Sequence, residues 1–440
     1  MDNPFIQVSG ENLVLRGEKI ILRGFGIGSW MNTEHFMTGM PGSDHQKKEL
    51  FSEIYGMEQA KEFFDEFLSD FITEQDFIFL KSLGVNTIRL PFTYRYFEED
   101  NHPGQYLEEG FKHLDRVVAL CEKYEIYAIL DLHAAPGGQN PDMHADSDLG
   151  VSHFWHDASL RDRAAGLWAF LAEHYRENRW VAAYDLINEP VFVPDPVVLN
   201  DFYERTIEAI RKVDEHHVLF LEGDNWAQDF SKLYDPQDRQ VAYSFHFYPG
   251  YSLKKKYPER WDRKDIENGL MPLIKLRERF HRPLWCGETG TGYTREKIMY
   301  FRDLMKDTLD ILEENDISWT IWTYKDAGAM GIVYPGRETP WMRFVREMNW
   351  EHRSEVQYAQ SVFDFFEERG HFKMIPEKTR FKLQFRLRGI FHSLYLEQLL
   401  KPKLESVEWK EIRKLPDSFL WENCEFHQEI ADLFMSYTKR

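Results

Sequence analysis

Two glutamates stand directly behind short apolar runs. Glu189 lies in Asp185-Leu-Ile-Asn-Glu-Pro190 and Glu288 in Leu284-Trp-Cys-Gly-Glu-Thr-Gly290. A buried lone carboxylate is costly unless it is paired or used. Two carboxylates facing each other across a cleft suit cleavage of a glycosidic bond: one protonates the leaving oxygen while the other attacks carbon or activates water. Helix capping or pairing with arginine accounts for either glutamate alone, but poorly for both beside the other groups. Those groups end further apolar runs: Arg89, Asp131 with His133, Asn188, Glu222, His246 with Tyr248, and Trp322.

The elements that must position them alternate along the chain. Candidate strands are 20–27, 86–90, 127–133, 181–188, 218–222, 241–247, 284–287 and 317–323, rich in Val, Ile and Leu as strands buried on both faces are. Helical patterns lie between them at 110–123, 159–175, 196–213, 261–280 and 294–315. Eight strands with helical crossovers predict an α/β fold, a (β/α)8 TIM barrel over 1–350, with an open doubly wound sheet as the alternative. The chemistry-bearing residues then fall at the C-terminal strand ends, where barrel enzymes carry their sites. Two long connections, 32–73 and 134–158, are expected at that same mouth, and residues 8–17 as a hairpin plugging the other end. Residues 351–440 read as a C-terminal extension: helices at 356–372 and 391–400, and one amphipathic strand, Arg380–Arg388, whose apolar and basic residues alternate.

Composition bounds the function. The 440 residues carry 54 Lys and Arg against 74 Asp and Glu, a net charge of −20, which argues against a nucleic-acid or anionic-membrane surface. Residues 351–440 are net neutral, so the excess belongs to the barrel, and Arg380–Arg388 is the natural basic partner for it. That extension is also the surface through which copies of the chain would associate. Cys121, Cys286 and Cys424 are too scattered for a disulfide framework or a zinc site. No signal-peptide pattern and no long apolar run is present, so the expected location is the cytoplasm unless a leader has been removed. No cofactor or metal is expected. His144, His153 and His156 with Asp142, Asp146 and Asp148 fit no zinc spacing, and the Gly24–Gly28 and Gly287–Gly292 stretches lack the context of phosphate loops.

The ordered set Asn86-Thr-Ile-Arg-Leu-Pro91, Asp131-Leu-His133, Asn188-Glu-Pro190, His246-Phe-Tyr248, Glu288 and Trp322 resembles glycoside hydrolase family 5, the cellulase A family. The resemblance spans about residues 10–350. It implies hydrolysis with retention of anomeric configuration, Glu189 as acid/base and Glu288 as nucleophile, with Arg89 and Tyr248 keeping the nucleophile ionised. It also implies Asn188 on the sugar 2-hydroxyl, His133 and His246 on hydroxyls or neighbouring groups, and Trp322 as a sugar platform. The acid should have its pKa raised by burial and by the neighbouring carboxylate. Leu22-Arg-Gly-Phe-Gly-Ile-Gly-Ser-Trp30, Ile72-Thr-Glu-Gln-Asp-Phe77 and the 131–140 segment look most like exo-β-1,3-glucanases and β-glucosidase-like members. There Glu34 matches a position that binds the terminal sugar. The expected substrate is a β-glucoside or short β-glucan attacked from its end. The alternatives are an endo-glucanase or mannanase, a glycolipid glucosidase, a phosphoglycosidase using Lys325, and a non-catalytic sugar-binding barrel. Trp155, Trp226, Trp261 and Tyr324 are further candidates for sugar stacking.

Overall fold

The computed structural model describes residues 3–253, 258–350, 354–371 and 375–438. Eight strands, β1 (Arg23–Gly26), β2 (Thr87–Thr93), β3 (Tyr127–Ala134), β4 (Val181–Asp185), β5 (Val218–Glu222), β6 (Val241–His246), β7 (Leu284–Thr289) and β8 (Ser318–Ile321), pair in order into a closed barrel. Every neighbouring pair is parallel, including β8 with β1. The strands are buried along nearly their whole length because helices cover the outside and side chains fill the inside. An antiparallel hairpin, Ile6–Ser9 with Asn12–Leu15, closes the N-terminal end. Its Ile6 and Leu13 pack with Ile129, Val218, Phe220 and Trp285 inside the barrel.

The first connection is itself helical: α1 (His35–Thr38), α2 (Asp44–Tyr55) and α3 (Met57–Phe71) precede the barrel helix Glu74–Ser82. Ser43 and Gln46 form a capping box that starts α2, and burial of Phe63, Phe67 and Phe71 along one face holds α3 to the body.

Two expectations for the C-terminal part need correction. Arg380–Arg388 is not a strand. It lies within α5 (Glu377–Tyr395), which pairs with α4 (Ser354–Glu368). The alternation over nine residues is local; Phe385, Gly389 and His392, at i, i+4 and i+7, are the buried positions and form a helical face. The helix expected over 356–372 ends at Glu368, and Phe372 lies outside the described residues. Nor is residue 350 a packing boundary. The helix α6 (Gln428–Thr438) lies against β1 and β8: Phe434 meets Phe25 edge-on at 4.9 Å and Trp319 at 6.1 Å. It also touches the helices on either side, through Tyr437 Oη on Asp310 and Thr438 Oγ1 on the Leu83 carbonyl. It therefore takes the place of the eighth helix of the outer ring. Leu396, Leu400, Leu404 and Phe419 join the same continuous core.

The basic helix does reach the barrel mouth. Arg388 pairs with Asp142 at 3.3 Å, and Phe385 packs on Phe192 and Trp226. A Cβ on Gly150 would meet the Phe385 carbonyl at 2.3 Å, so helix and loop backbones touch there. α5 thus lies across the loops that follow β3, β4 and β5.

Candidate active site

The mouth is built on Arg89, a β2 residue with no exposed surface. Its guanidinium donates to Asp185 Oδ2 (Nε, 3.0 Å), Glu288 Oε1 (Nη1, 2.6 Å) and Asn188 Oδ1 (Nη2, 2.8 Å), and lies 3.2 Å from Asp131 Oδ2 and 3.7 Å from Glu222 Oε1. Burial opposes the Arg89 charge, but the carboxylates outweigh it and raise its pKa further. One guanidinium cannot neutralise four acids. Burial raises the Asp131 carboxyl to about 7, and burial with the neighbouring Glu222 holds Asp185 well above the usual range.

Glu288 comes into the mouth through a register shift. The pairing of β7 with both neighbours slips after Cys286, which turns Glu288 toward the interior beside His246. Gly287 makes this possible: a Cβ there would sit 2.6 Å from Ser244 Oγ and 3.1 Å from His246 Nε2. Arg89 binds one Glu288 oxygen, and Tyr248 Oη donates to the other at 2.6 Å. Each carboxylate oxygen thus has its own donor.

Glu189 sits beyond β4 with φ 47°, in the left-handed region, at a cost of about 1–3 kcal/mol. Its N–H donates to Glu222 Oε2 at 2.6 Å, which holds that conformation. His246 Nδ1 is 2.8 Å from Glu189 Oε1 and 3.5 Å from Glu288 Oε2. One oxygen of each glutamate and a ring nitrogen of His246 all lie within 4.8 Å of one another. Retention requires carboxyls about 5–5.5 Å apart, whereas inversion needs about 6.5–9.5 Å to admit a water.

The expected elevation of the Glu189 pKa is not met. Burial pushes that carboxyl up, but hydrogen bonds with His144 and His246 outweigh burial and hold it well below the usual range. His144 Nε2 lies 3.1 Å from Glu189 Oε2, and its pKa is raised to about 9, the Glu189 contact overcoming burial. His246 is likewise raised, by Glu222, Glu288 and Glu189 against burial. At rest, therefore, the shared protons sit on the imidazoles, one hydrogen bond from the carboxylate. His144 is the site residue that the spacing argument passed over. Its loop cluster was weighed only as a metal site, and the fold disperses that cluster: Asp142 pairs with Arg388, and Asp146 with His45 and Arg95.

Asn188, its Oδ1 held by Arg89, has a buried Nδ2 with no partner among the described residues. His133 donates or accepts through Nδ1 at Asp131 (2.7 Å), and burial keeps the ring neutral. Trp322 lies with its plane 5° from that of His133, ring centroids 5.2 Å apart. Gly26 of β1 and Gly28 just beyond it make room for this indole, since a Cβ on either would lie 2.7 or 2.6 Å from it.

Glu34, 5 % exposed, approaches from the first loop, its Oε1 3.9 Å from His133 Nε2. That oxygen has no hydrogen-bond partner among the described residues. Burial outweighs the opposing His144 and, with smaller contributions from Glu288 and Glu189, raises its pKa to about 8. A carboxyl with a raised folded-state pKa binds more protons folded than unfolded, so it stabilises the fold at low pH and loses that contribution as pH rises. The unfolding free energy of the wild type should therefore fall relative to Glu34→Gln between about pH 4.5 and 8. Urea titrations across that range check this; parallel pH profiles would refute it.

Of the other aromatic candidates, Trp155 and Tyr324 are buried, bonded to the Gln139 carbonyl and Asp76. Trp261 binds Asp307. Lys325 is buried against Asp76 and the Phe419 carbonyl, so it is not placed to hold a phosphate. Trp226, partly buried, lies by a groove of about 690 Å³ lined by Phe192, Asp224, Asn225, Lys232, Arg380 and Phe381.

Residues 43–328 match the model of the cellulase family, glycosyl hydrolase family 5. The chain belongs to glycosyl hydrolase family 5. It is a glycoside hydrolase that acts on β-glycans, and the family's double displacement retains configuration. A β-xylosidase of Phanerodontia chrysosporium is 37 % identical over 96 % of this chain and 95 % of its own. Endoglucanase C of Acetivibrio thermocellus is 29 % identical over 60 % of this chain and 86 % of its own. Among solved structures, Thermotoga maritima Cel5A in complex with mannotriose has the same fold, with a TM-score of 0.53, 16 % identity, and 71 % of this chain and 92 % of that chain covered. In this family 5 chain the match to the β-xylosidase, at 96 % of the chain, reaches into the C-terminal part, whereas the endoglucanase match leaves 40 % of the chain uncovered.

Proposed function

We propose that this family 5 enzyme is an exo-acting β-glycosidase that removes one terminal sugar from β-glucosides and short β-glucans. The observation that carries the reading is the Glu34 carboxyl, buried at the edge of the mouth with Oε1 unpaired among the described residues and its pKa raised by burial. A donor and acceptor held there suits the hydroxyls of a chain end, and an elongated glycan would run into it. The wall made by α5 supports the same reading, because it closes the side of the mouth along the β3, β4 and β5 loops. The β-xylosidase relative adds β-xylosides to the substrates worth testing.

In this mechanism Glu288 attacks the anomeric carbon, and its C–O bond forms as the glycosidic C–O bond breaks. Glu189 delivers a proton, drawn from its imidazole partners, to the departing oxygen. Water then attacks the glycosyl-enzyme, giving its proton back to Glu189 and releasing Glu288. The unused Asn188 Nδ2 serves the 2-hydroxyl, a hydrogen bond that strengthens in the transition state. The groove lined by Phe192, Asp224, Lys232 and Arg380 is charged, which fits a sugar or polar aglycone rather than a lipid chain, and in this reading it receives the leaving group.

Two measurements test the reading. Product analysis on oligosaccharides should show a monosaccharide and a chain one unit shorter from the first turnover, and internal fragments such as two disaccharides from a tetrasaccharide would make the enzyme endo-acting. Glu34→Ala should lower kcat/KM on short substrates by about 10–100-fold, as for a lost hydrogen bond to a charged or buried group. Unchanged kinetics would remove the terminal-sugar role. Separately, Glu189→Ala should lower kcat/KM by about 10²–10⁴-fold on alkyl glycosides and oligosaccharides but little on dinitrophenyl glycosides, whose leaving group needs no proton, while kcat on the latter falls because water has lost its base. Equal losses of kcat/KM on both would reject the acid role.

A further inference from the structure

A second cluster of ligating groups lies outside the sugar site, where the first loop meets the C-terminal helices. A ring nitrogen of His35 (α1), a ring nitrogen of His392 (α5) and a carboxylate oxygen of Glu355 (α4) all lie within 4.8 Å of one another. All three residues are buried, and Glu355 and His392 have no exposed surface at all. Among the described residues, neither oxygen of Glu355 and neither ring nitrogen of His392 has a hydrogen-bond partner. Two described groups approach but stop short of hydrogen-bond reach: His392 Nε2 is 3.7 Å and Arg388 Nη2 4.0 Å from Glu355 Oε1. The rings of His35 and His392 meet at 4.4 Å, and Trp350 lies 5.9 and 6.3 Å from them.

A carboxylate stripped of water with both oxygens idle is the arrangement that native proteins avoid, and buried charges otherwise pair or coordinate metal. Three elements far apart in sequence bring these donors to one point, so no single local preference explains them. We propose that His35, Glu355 and His392 bind a divalent cation of the zinc class. Two imidazoles and one carboxylate are the nitrogen and oxygen donors such ions take, with remaining positions left for water. An ion with bonds of about 2.0–2.1 Å holds its ligand atoms roughly 3.4 Å apart, so His392 and Glu355 are nearly in place and His35 draws in slightly. The ion fastens the C-terminal helices to the residue next to Glu34, and so steadies one edge of the sugar pocket from behind.

The full-length chain, stripped with a chelator, is titrated with cobalt(II) and then zinc. The expected result is one cobalt per chain with a visible d–d band that zinc displaces, and a Tm that the metal raises and EDTA lowers. Glu355→Gln and His392→Gln should each lose the band and the bound metal while keeping the wild-type circular dichroism. Absence of bound metal at cobalt concentrations of hundreds of micromolar would overturn the proposal and leave a metal-free His–Glu pair. A band that survives both variants but disappears in Glu288→Gln would place the ion in the sugar site and overturn it equally. Should His392→Gln fail to fold, Glu355→Gln decides alone, since it preserves shape and volume.

Discussion

Glu288→Ala is expected to fold normally and to lose at least about 10⁴-fold in kcat on an aryl β-glucoside, as removal of a catalytic nucleophile does. Folding survives because the variant removes one acid from a cluster in which Arg89 already faces Asp131 and Asp185 as well. The chemistry does not survive, because no other oxygen stands where Glu288 does. Of the groups around it, Tyr248 Oη, 2.6 Å from Glu288 Oε2, has its pKa raised by burial and stays a neutral phenol, and His246, 3.5 Å away, is held as a cation. Added azide should occupy the vacated volume and attack the anomeric carbon from the same face, releasing a glycosyl azide of inverted configuration. In Glu189→Ala, azide instead meets the glycosyl-enzyme from the other face, and the azide product retains configuration. The two product stereochemistries, read by NMR, separate the two glutamates; the same anomer from both variants would refute the assignment.

The largest effect on stability is expected at Arg89. Arg89→Ala removes the shared counter-charge of Asp131, Asp185, Glu222 and Glu288, which stay buried. Breaking a buried ion pair by deleting one partner costs about 3–5 kcal/mol, and here one deletion breaks several. The variant should be largely unfolded, or folded with every acid of the cluster protonated and so stable only at low pH. Arg89→Lys should fold, because the positive charge remains, yet it should be nearly inactive. A lysine offers a point charge in place of a fork that reaches Asp185, Asn188 and Glu288 together. Denaturant titrations on both variants, alongside kcat/KM, distinguish these outcomes. An Arg89→Ala protein within 1 kcal/mol of wild type at neutral pH, about fivefold in the folding equilibrium, would show that the acids are neutral without it.

Much of this was legible from residue type and spacing. The eight strands announce themselves as short Val- and Ile-rich runs, since burial on both faces leaves no polar alternation to confuse them. The polar residues at their ends then converge because closure of the barrel leaves them nowhere else to point. What was hidden depends on contacts between distant segments. The helix α6 has buried Ile430, Ala431, Leu433, Phe434 and Tyr437 on one face, but nothing local ties that face to β1 and β8. The nine residues Arg380–Arg388 satisfy a two-residue period by accident of where the arginines fall, and only Gly389 and His392 beyond them reveal the turn of a helix. Within its own loop His144 meets only the Asn140 amide, at 2.8 Å, which signals no chemistry; the carboxylate beside it, Glu189, is contributed after a different strand. The depressed Glu189 pKa follows from the same cause, because two imidazoles, one from the loop after β3 and one from the end of β6, were needed to reverse the effect of burial.

The position of α6 also bears on how the molecule is made. The ring around β1 and β8 is closed by residues 428–438, and the pocket wall by residues 377–395. A nascent chain emerging at about 5–20 residues per second has all eight strands outside the ribosome for several seconds before either is available. During that interval Phe25 and Trp319 have no cover, and neighbouring ribosomes present the same bare face. A gene cut at residue 350 would hold the product in that state permanently, so a fragment containing every strand and both glutamates should behave as an aggregating intermediate rather than as a minimal enzyme.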